Sequence, residues 1–326
     1  MTIEEQLQKT SNDYSHEEQL FAQKTKEPLL SDKNFKNRAS NHSVSIIIPA
    51  YSSHNTVTPV LKAISNQTFL KKGGELEIII CDDCSKPPLL NKISTFCKLL
   101  DIKYIYSSKN RGAGASRDDA IKISKNEYLI FIDSDIVIPP NFIDNHLLVH
   151  STLQKNNILV SFRENVSPKD SRLYNLKKWS QGNTYLDDHR TNLFFKPDWV
   201  VKSSDKKLIG KNFEILKETV FFKKFGFGKK YFAWTLPMMV LTCAMSAHSN
   251  LIKQAIPVPK ELSGWGFNDT CMAAKMIAKG AKVIPNMNST VLHILEKKHT
   301  KKTSTKNLEY AKNEKVYKKM LKQKYL

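Results

Sequence analysis

The chain has 326 residues, long enough for one large domain or two smaller ones, and its 40% hydrophobic content is ordinary for a folded globular protein. Its formal net charge of +20 is not ordinary: it implies attraction to nucleic acid, an anionic membrane surface or a phosphorylated substrate, unless it is only a lysine-rich solvated surface. Five cysteines (Cys81, Cys84, Cys97, Cys243, Cys271) form no disulfide framework and favour a reducing compartment, and Cys81-Asp-Asp-Cys84 has no second pair to complete a zinc site.

Residues 1–42 are polar and charged and read as an arm outside the core, with room for a helix from about Ile3 to Lys24; no apolar leader opens them. The core begins at the short apolar strand Val44–Ile48, closed by Pro49-Ala50-Tyr51. Ser52, Ser53 and Asn55 offer caps for a helix to about Gln67, with Val57, Val60, Leu61 and Ile64 on one face. Gly73-Gly74 turns the chain into a second strand, Glu77–Cys81, which ends in Asp82-Asp83. Pro87-Pro88 opens a helix to about Leu100, Lys103–Tyr106 is a third strand, and the glycine-containing turn Asn110–Arg117 leads into a helix to about Ser124. The fourth strand, Tyr128–Ile132, is apolar throughout, as a strand buried on both faces of a parallel sheet must be.

At the end of that strand stand two carboxylates, Asp133 and Asp135, one residue apart. Ligands of open α/β sheets bind beyond the carboxyl ends of the strands. Neighbouring acids repel and are costly to bury without a cation, and oxygen ligands of this kind suit Mg2+ or Mn2+ holding substrate phosphates. The bland alternative is an Asp-rich turn. Strand and helix alternate from Val44 to Ile132 in the manner of a doubly wound α/β unit. The Gly112-x-Gly114 turn lacks the full dinucleotide fingerprint and does not follow the first strand, which argues against a Rossmann dehydrogenase.

The second half is less regular. His146 and His150 stand four apart but lack the glutamate of a zinc-protease helix, and read as packed or solvated. Few elements can be placed from Lys155 to Lys230, where Phe194, Phe195, Trp179 and Trp199 read as core rather than a substrate platform. Met238–Ser246 is expected as a strand. A Gly-Trp-Gly loop then leads to a helix from Asp269 to Lys279, stopped by Gly280, and strands are expected at Ala281–Ile284 and Val291–Ile294. The lysine-rich tail from Glu296 has loosely helical apolar spacing, which fits a basic helix on a membrane surface or one packed on its own domain. No apolar run is long enough to span a membrane, so the expected location is cytoplasmic, with peripheral attachment at the inner membrane face through this tail.

Ser45-Ile-Ile-Ile-Pro-Ala-Tyr51, Cys81-Asp-Asp-Cys-Ser85, Asn110–Arg117 and Phe131-Ile-Asp-Ser-Asp135 together resemble the nucleotide-sugar half of family 2 glycosyltransferases. Gly264-Trp-Gly-Phe-Asn-Asp269 is similar to the Gly-Trp-Gly-x-Glu-Asp loop of chondroitin-polymerase-like and galactosyltransferase members. The resemblance covers about residues 44–295 and implies a GT-A fold: a doubly wound, mostly parallel sheet with helices on both faces and a less regular acceptor side. The implied divisions are a polar arm (1–42), a nucleotide-sugar half (43–150), an acceptor half with the catalytic loop (151–295) and a basic tail (296–326).

By the same resemblance, Pro49, Ala50 and Tyr51 line a uridine pocket, Asp82 or Asp83 accepts from uracil or ribose, and Arg117, Asp133 and Ser134 lie at the nucleotide. Asp135 and His293, with Asp133, hold the metal, Mn2+ or Mg2+, that grips the UDP-sugar diphosphate. Asp269 is the base, and Trp265 and Asn268 face the acceptor. Asn268 stands where the family usually has Glu, which puts acceptor identity in doubt. The implied activity is metal-dependent, inverting transfer from a UDP-sugar to a glycan, lipid-linked or peptide acceptor. The alternatives are a nucleotidyltransferase, or a basic nucleic-acid or membrane-binding module on an inactive transferase fold. Retention of the metal acids and the base makes a nucleic-acid partner the weaker expectation.

Overall fold

The computed structural model describes residues 1–175 except 11, 32, 37–41 and 154, then residues 188, 200–201, 208–209, 236–295 and 303–324. Phe194, Phe195, Trp179 and Trp199 lie outside the described residues, so their expected core role is not addressed.

Ten strands occur among these residues, eight of them in one sheet: β1 (Val44–Ala50), β2 (Leu76–Asp83), β3 (Asp101–Ser107), β4 (Tyr128–Ile132), β5 (Ile136–Val137), β6 (Asn157–Val166), β9 (Ala244–His248) and β10 (Lys282–Ile294). The remaining two, β7 (Val200–Val201) and β8 (Leu208–Ile209), pair only with each other. The order in the main sheet is β3-β2-β1-β4-β9-β6-β10-β5. The first four strands are parallel neighbours, as are β6 and β10, while β9 runs antiparallel between β4 and β6.

Alternation along the central strands divides the core in two. Ile46, Ile48, Ile78, Ile80, Ile130 and Ile132 join one buried cluster with the Val57–Ser65 and Phe142–Thr152 helices. Ile47, Ile79, Leu129 and Phe131 join the other, with the Ala113–Ile123 and Asn268–Ala278 helices. Each such side chain, fully enclosed, contributes roughly 1.5–3 kcal/mol. Both faces are covered, so β1 and β4 carry no polar side of their own and their chemistry is confined to their ends.

Several elements differ from expectation. The N-terminal segment forms two helices, Ile3–Lys9 and Ser15–Thr25, rather than one. Residues 1–36 are no loose arm: Ile3, Tyr14, Phe21, Leu29, Leu30 and Phe35 are buried. Their apolar side chains are sparse in the sequence but large, so a few suffice to dock a polar segment. Leu236–Met239 is a 3-10 turn and the strand expected there begins only at Ala244. The two short strands expected near 281–294 are one, β10, whose pairing with β6 shifts register between Asn286 and Val291. β5 and β6 were not anticipated.

The lysine-rich tail forms the Thr303–Leu321 helix. Asn313, Tyr317 and Met320 are buried along one side of it, which is the packed reading rather than a free basic helix. The termini meet beside it, where Ile3 N donates to the Gln323 carbonyl (3.1 Å). No helix among the described residues is long and apolar enough to cross a membrane.

Candidate active site

The acids converge where strands end. β4 stops at Ile132, and a turn closed by Ile136 N to the Asp133 carbonyl (3.0 Å) presents Asp133, Ser134 and Asp135. β5 then pairs antiparallel with β10, setting His293 opposite Ile136, and Ile294 N donates to the Asp135 carbonyl (2.9 Å). Residues 158 positions apart are thereby juxtaposed: His293 Nε2 lies 3.4 Å from Asp135 Oδ2.

The other ring nitrogen fixes what this contact means. His293 Nδ1 is 2.8 Å from Asn165 Oδ1, an atom that can only accept, so Nδ1 carries the hydrogen. In the neutral ring Nε2 then presents a lone pair toward the Asp135 carboxylate. Two acceptors facing each other repel unless a cation or proton lies between them. Asp135 Oδ1 is also buried with no hydrogen-bond partner. An orphaned carboxylate oxygen beside an oriented imidazole is a donor set that fits Mn2+, with Asn165 as the outer partner that aims the ring. Among the described residues, no three His, Cys, Asp or Glu side chains form a metal-binding group. Asp133 is engaged elsewhere, and substrate oxygens and water would complete the shell.

Arg117 is the hub of the second cluster. It sits one turn into the Ala113–Ile123 helix, almost fully buried, donating from Nη2 to Asp133 Oδ1 (2.8 Å) and from Nη1 to Asp269 Oδ1 (3.0 Å). Burial works against its charge, and the Asp269 and Asp133 carboxylates outweigh that, leaving its pKa above the ordinary value. Asp269, in the first turn of the Asn268–Ala278 helix, also accepts from Thr242 Oγ1 (2.7 Å) and Thr242 N (3.2 Å). One cation thus links the acid after β4 to the acid of the Gly-Trp-Gly loop. A small recess beside Asp269 is lined by Gly114, Arg117, Asp118, Thr242 and Asn268. Burial pushes the Asp118 carboxyl up to about 6 there.

The remaining candidates are placed differently. Asp82 is buried and accepts from Ser85 N (2.9 Å), Leu89 N (2.8 Å) and the Tyr104 hydroxyl. Asp83 accepts from Arg111 N (2.8 Å) and Gly112 N (2.6 Å), pinning the turn before the Arg117 helix to the end of β2. Ala50 pairs with Asp82 across β1 and β2, Pro49 with Cys81, and Tyr51 projects beyond them, 57% exposed. Ser134 is buried against Ser53, with 2.6 Å between hydroxyl oxygens. Asn268 sits against Gly114, where a Cβ would come within 2.4 Å of its Oδ1. Trp265 is half exposed and tilts against Tyr310 at 5.7 Å. None of the five cysteines is in a disulfide, and Cys84 Sγ donates to the Ser108 carbonyl (3.2 Å).

Sequence reading missed Thr242 and Asn165. A threonine in an apolar run and an asparagine in an unplaced segment carry no local mark of their partners.

With this geometry described, comparison places the protein. The glycosyl transferase family 2 model matches residues 45–219, and the chain belongs to that family. A poly(ribitol-phosphate) beta-glucosyltransferase of Bacillus spizizenii is 39% identical over 94 residues, 28% of this chain and 14% of that protein. The poly(ribitol-phosphate) beta-N-acetylglucosaminyltransferase TarP of Staphylococcus aureus is 29% identical over 172 residues, 52% of this chain and 50% of that one. WfaP of Escherichia coli, a UDP-Glc:alpha-D-GlcNAc-diphosphoundecaprenol beta-1,3-glucosyltransferase, is 38% identical over 95 residues, 28% of this chain and 35% of WfaP. The matched stretches therefore span half or less of each of these relatives. Among solved structures, GalNAc-T7 with UDP, GalNAc and Mn2+ superposes with a TM-score of 0.55 at 16% identity, over 87% of this chain and 49% of that one. The fold is the GT-A type that the resemblance implied.

Proposed function

We propose that this protein is a divalent-metal-dependent, inverting glycosyltransferase that moves a sugar from a UDP-sugar to a hydroxyl of a phosphate-bearing acceptor. The observation that carries the reading is the convergence of Asp133, Asp135, His293 and Asp269 from three separate stretches of chain, two of the acids on one buried arginine.

Asp135 and His293 would hold the metal, whose charge would offset that developing on the departing diphosphate, an effect worth several kcal/mol. Asp269 takes the proton of the acceptor hydroxyl as the oxygen attacks the anomeric carbon. The bond from that carbon to the β-phosphate oxygen breaks, and UDP leaves with the electron pair. Attack opposite the leaving group inverts the centre, and general-base assistance of this kind typically contributes about 10²–10⁴-fold. Thr242 and Arg117 fix the direction of the Asp269 carboxylate, so the hydroxyl meets a base that need not search for its geometry. Pro49, Ala50 and Tyr51 border the nucleotide, while Trp265 and Asn268 border the acceptor.

Support for a phosphate-bearing acceptor comes from two directions. The relatives just described act, by name, on poly(ribitol-phosphate) or on a diphosphate-linked lipid. This chain carries a net charge of +20, suited to drawing such an anion in. The β linkages in those names are what one displacement gives from an α-linked UDP-sugar. The outward lysines of the Thr303–Leu321 helix would serve equally for an anionic lipid surface bearing the acceptor.

The test is UDP release from UDP-glucose and UDP-N-acetylglucosamine with Mn2+, with and without poly(ribitol phosphate). Expected are metal-dependent turnover and stimulation by the polymer. Full activity in excess chelator would remove the metal assignment, and no binding of any UDP-sugar would remove the function.

A further inference from the structure

We propose that the C-terminal helix is a positioning device for the candidate base: Glu309 and Asn313 hold the 263–266 loop, and through it the helix turn that carries Asp269, in the geometry transfer needs. The proposal rests on Asp269 being the base. It concerns a helix outside the span matched by the family model, residues 45–219.

Asn313 is fully buried and spends its side-chain amide on one loop. Its Nδ2 donates to the carbonyls of Ser263 (3.0 Å), Trp265 (3.1 Å) and Gly266 (3.0 Å), and its Oδ1 accepts from Ser263 N (3.3 Å). One turn earlier, Glu309 Oε2 accepts from Trp265 N (2.8 Å). Lys312 Nζ donates to Ser263 Oγ (2.9 Å). The helix therefore supplies partners for backbone groups that the loop cannot pair within itself.

The glycines are the imprint of this contact. At Gly264 a Cβ would lie 2.3 Å from Glu309 Cδ, and at Gly266 it would lie 3.1 Å from Tyr310 Cδ2. Both have positive φ, +71° and +98°, and Phe267 follows at +65°. For phenylalanine that backbone region is sterically costly. The Phe267 ring is gripped by Tyr310 at 4.7 Å and stacked on Tyr317 at 5.2 Å, both on the same helix. The loop thus does not keep its own shape. Asp269 begins two residues later, and an error of about 1 Å at a catalytic group can cost about 10²-fold in rate.

The experiment pairs exchange with kinetics. In Asn313→Ala, amide hydrogen exchange across residues 261–270 should rise at least about tenfold while β1 is unchanged. kcat for UDP release from UDP-glucose or UDP-N-acetylglucosamine should fall about 10–100-fold with KM for the nucleotide sugar within about twofold, the mark of a displaced base rather than a damaged donor site. Glu309 is half-buried, so Glu309→Ala gives a second variant that keeps the fold. Glu309→Gln should recover most of the activity, because its amide oxygen can still accept from Trp265 N. Asp269→Asn serves as the control, with kcat lowered by about 10²–10⁴-fold and normal loop exchange. Unchanged exchange in Asn313→Ala overturns the proposal, as does faster exchange with normal kcat. A parent protein that turns over no UDP-sugar sinks the functional reading instead, and loop exchange then still decides whether the helix holds the loop.

Discussion

Two acid pairs mark the ends of the two parallel strands that flank β1, and in sequence they look alike: Asp82-Asp83 closing β2, Asp133 and Asp135 just after β4. The fold treats them oppositely. Asp82 and Asp83 are buried, and their oxygens accept from Ser85, Leu89, Arg111 and Gly112 backbone N–H groups. Asp135 is over a third exposed, with one oxygen toward a histidine and the other unpartnered, and Asp133 shares an arginine with a distant acid. A carboxylate saturated by its own backbone is part of the scaffold. One left under-satisfied at a strand end is available to a ligand.

The sharpest way to break this contrast is to neutralise single acids, first Asp269 at the far side of the Arg117 cluster, then one from each pair, and read activity and stability separately. Asp269→Asn, which keeps shape and removes the base, should lower kcat by about 10²–10⁴-fold, with UDP binding by calorimetry and the thermal midpoint nearly unchanged. Asp135→Ala should abolish the extra thermal stabilisation that Mn2+ adds to UDP, and reduce turnover by at least about 10²-fold. If either variant instead unfolded the protein, that acid would belong with the scaffold.

Asp82→Ala should do the reverse. It leaves the buried Ser85 and Leu89 N–H groups and the Tyr104 hydroxyl without their acceptor, at about 1–3 kcal/mol for each group left unmade. A combined loss on the order of 3 kcal/mol in urea unfolding is expected, with kcat of the surviving folded fraction close to normal. Normal stability with lost UDP binding would move Asp82 from scaffold to nucleotide site.

The contrast also marks what the residues disclose. β1, β2 and β4 were legible because each is an apolar run, and local pattern suffices for strands buried on both faces, whereas β3, only partly buried at the sheet edge, showed as a short aromatic and β-branched run. The acids after β4 and the histidine of β10 were legible as motifs. Their closeness depends on β5, two residues long, pairing across the sheet edge, and no local pattern encodes a pairing that short. Thr242, Asn165 and Asn313 act on Asp269, His293 and the loop from remote positions, with side chains that are unremarkable where they stand. What a motif needs is local; what aims it comes from elsewhere in the chain.

The histidines divide as the acids do, and this gives the smallest expected effect. His293 is partly open beside Asp135, whereas His146 and His150 are buried and bonded to hydroxyls, His150 Nε2 lying 2.7 Å from Ser246 Oγ and its ring stacked on Tyr128 at 5.1 Å. Burial, with His248 and His42 nearby, pushes the His150 pKa down to about 3. Below about pH 6.5 the unfolded chain binds a proton there that the folded chain refuses. The stabilisation is therefore complete above that pH and falls as pH drops toward 3, by about 1.4 kcal/mol per unit, or roughly 2 kcal/mol at pH 5. His146 adds in the same direction, its pKa also lowered by burial, while Asp118, raised to about 6, opposes both as pH falls from 6. Comparing His150→Gln with the parent cancels those two contributions. The glutamine amide can still donate to Ser246, so the variant should lose about 2 kcal/mol less than the parent between pH 7 and pH 5 in urea unfolding. Equal losses would mean that His150 takes up its proton while folded, and that the enclosed histidines are no more scaffold than His293 is.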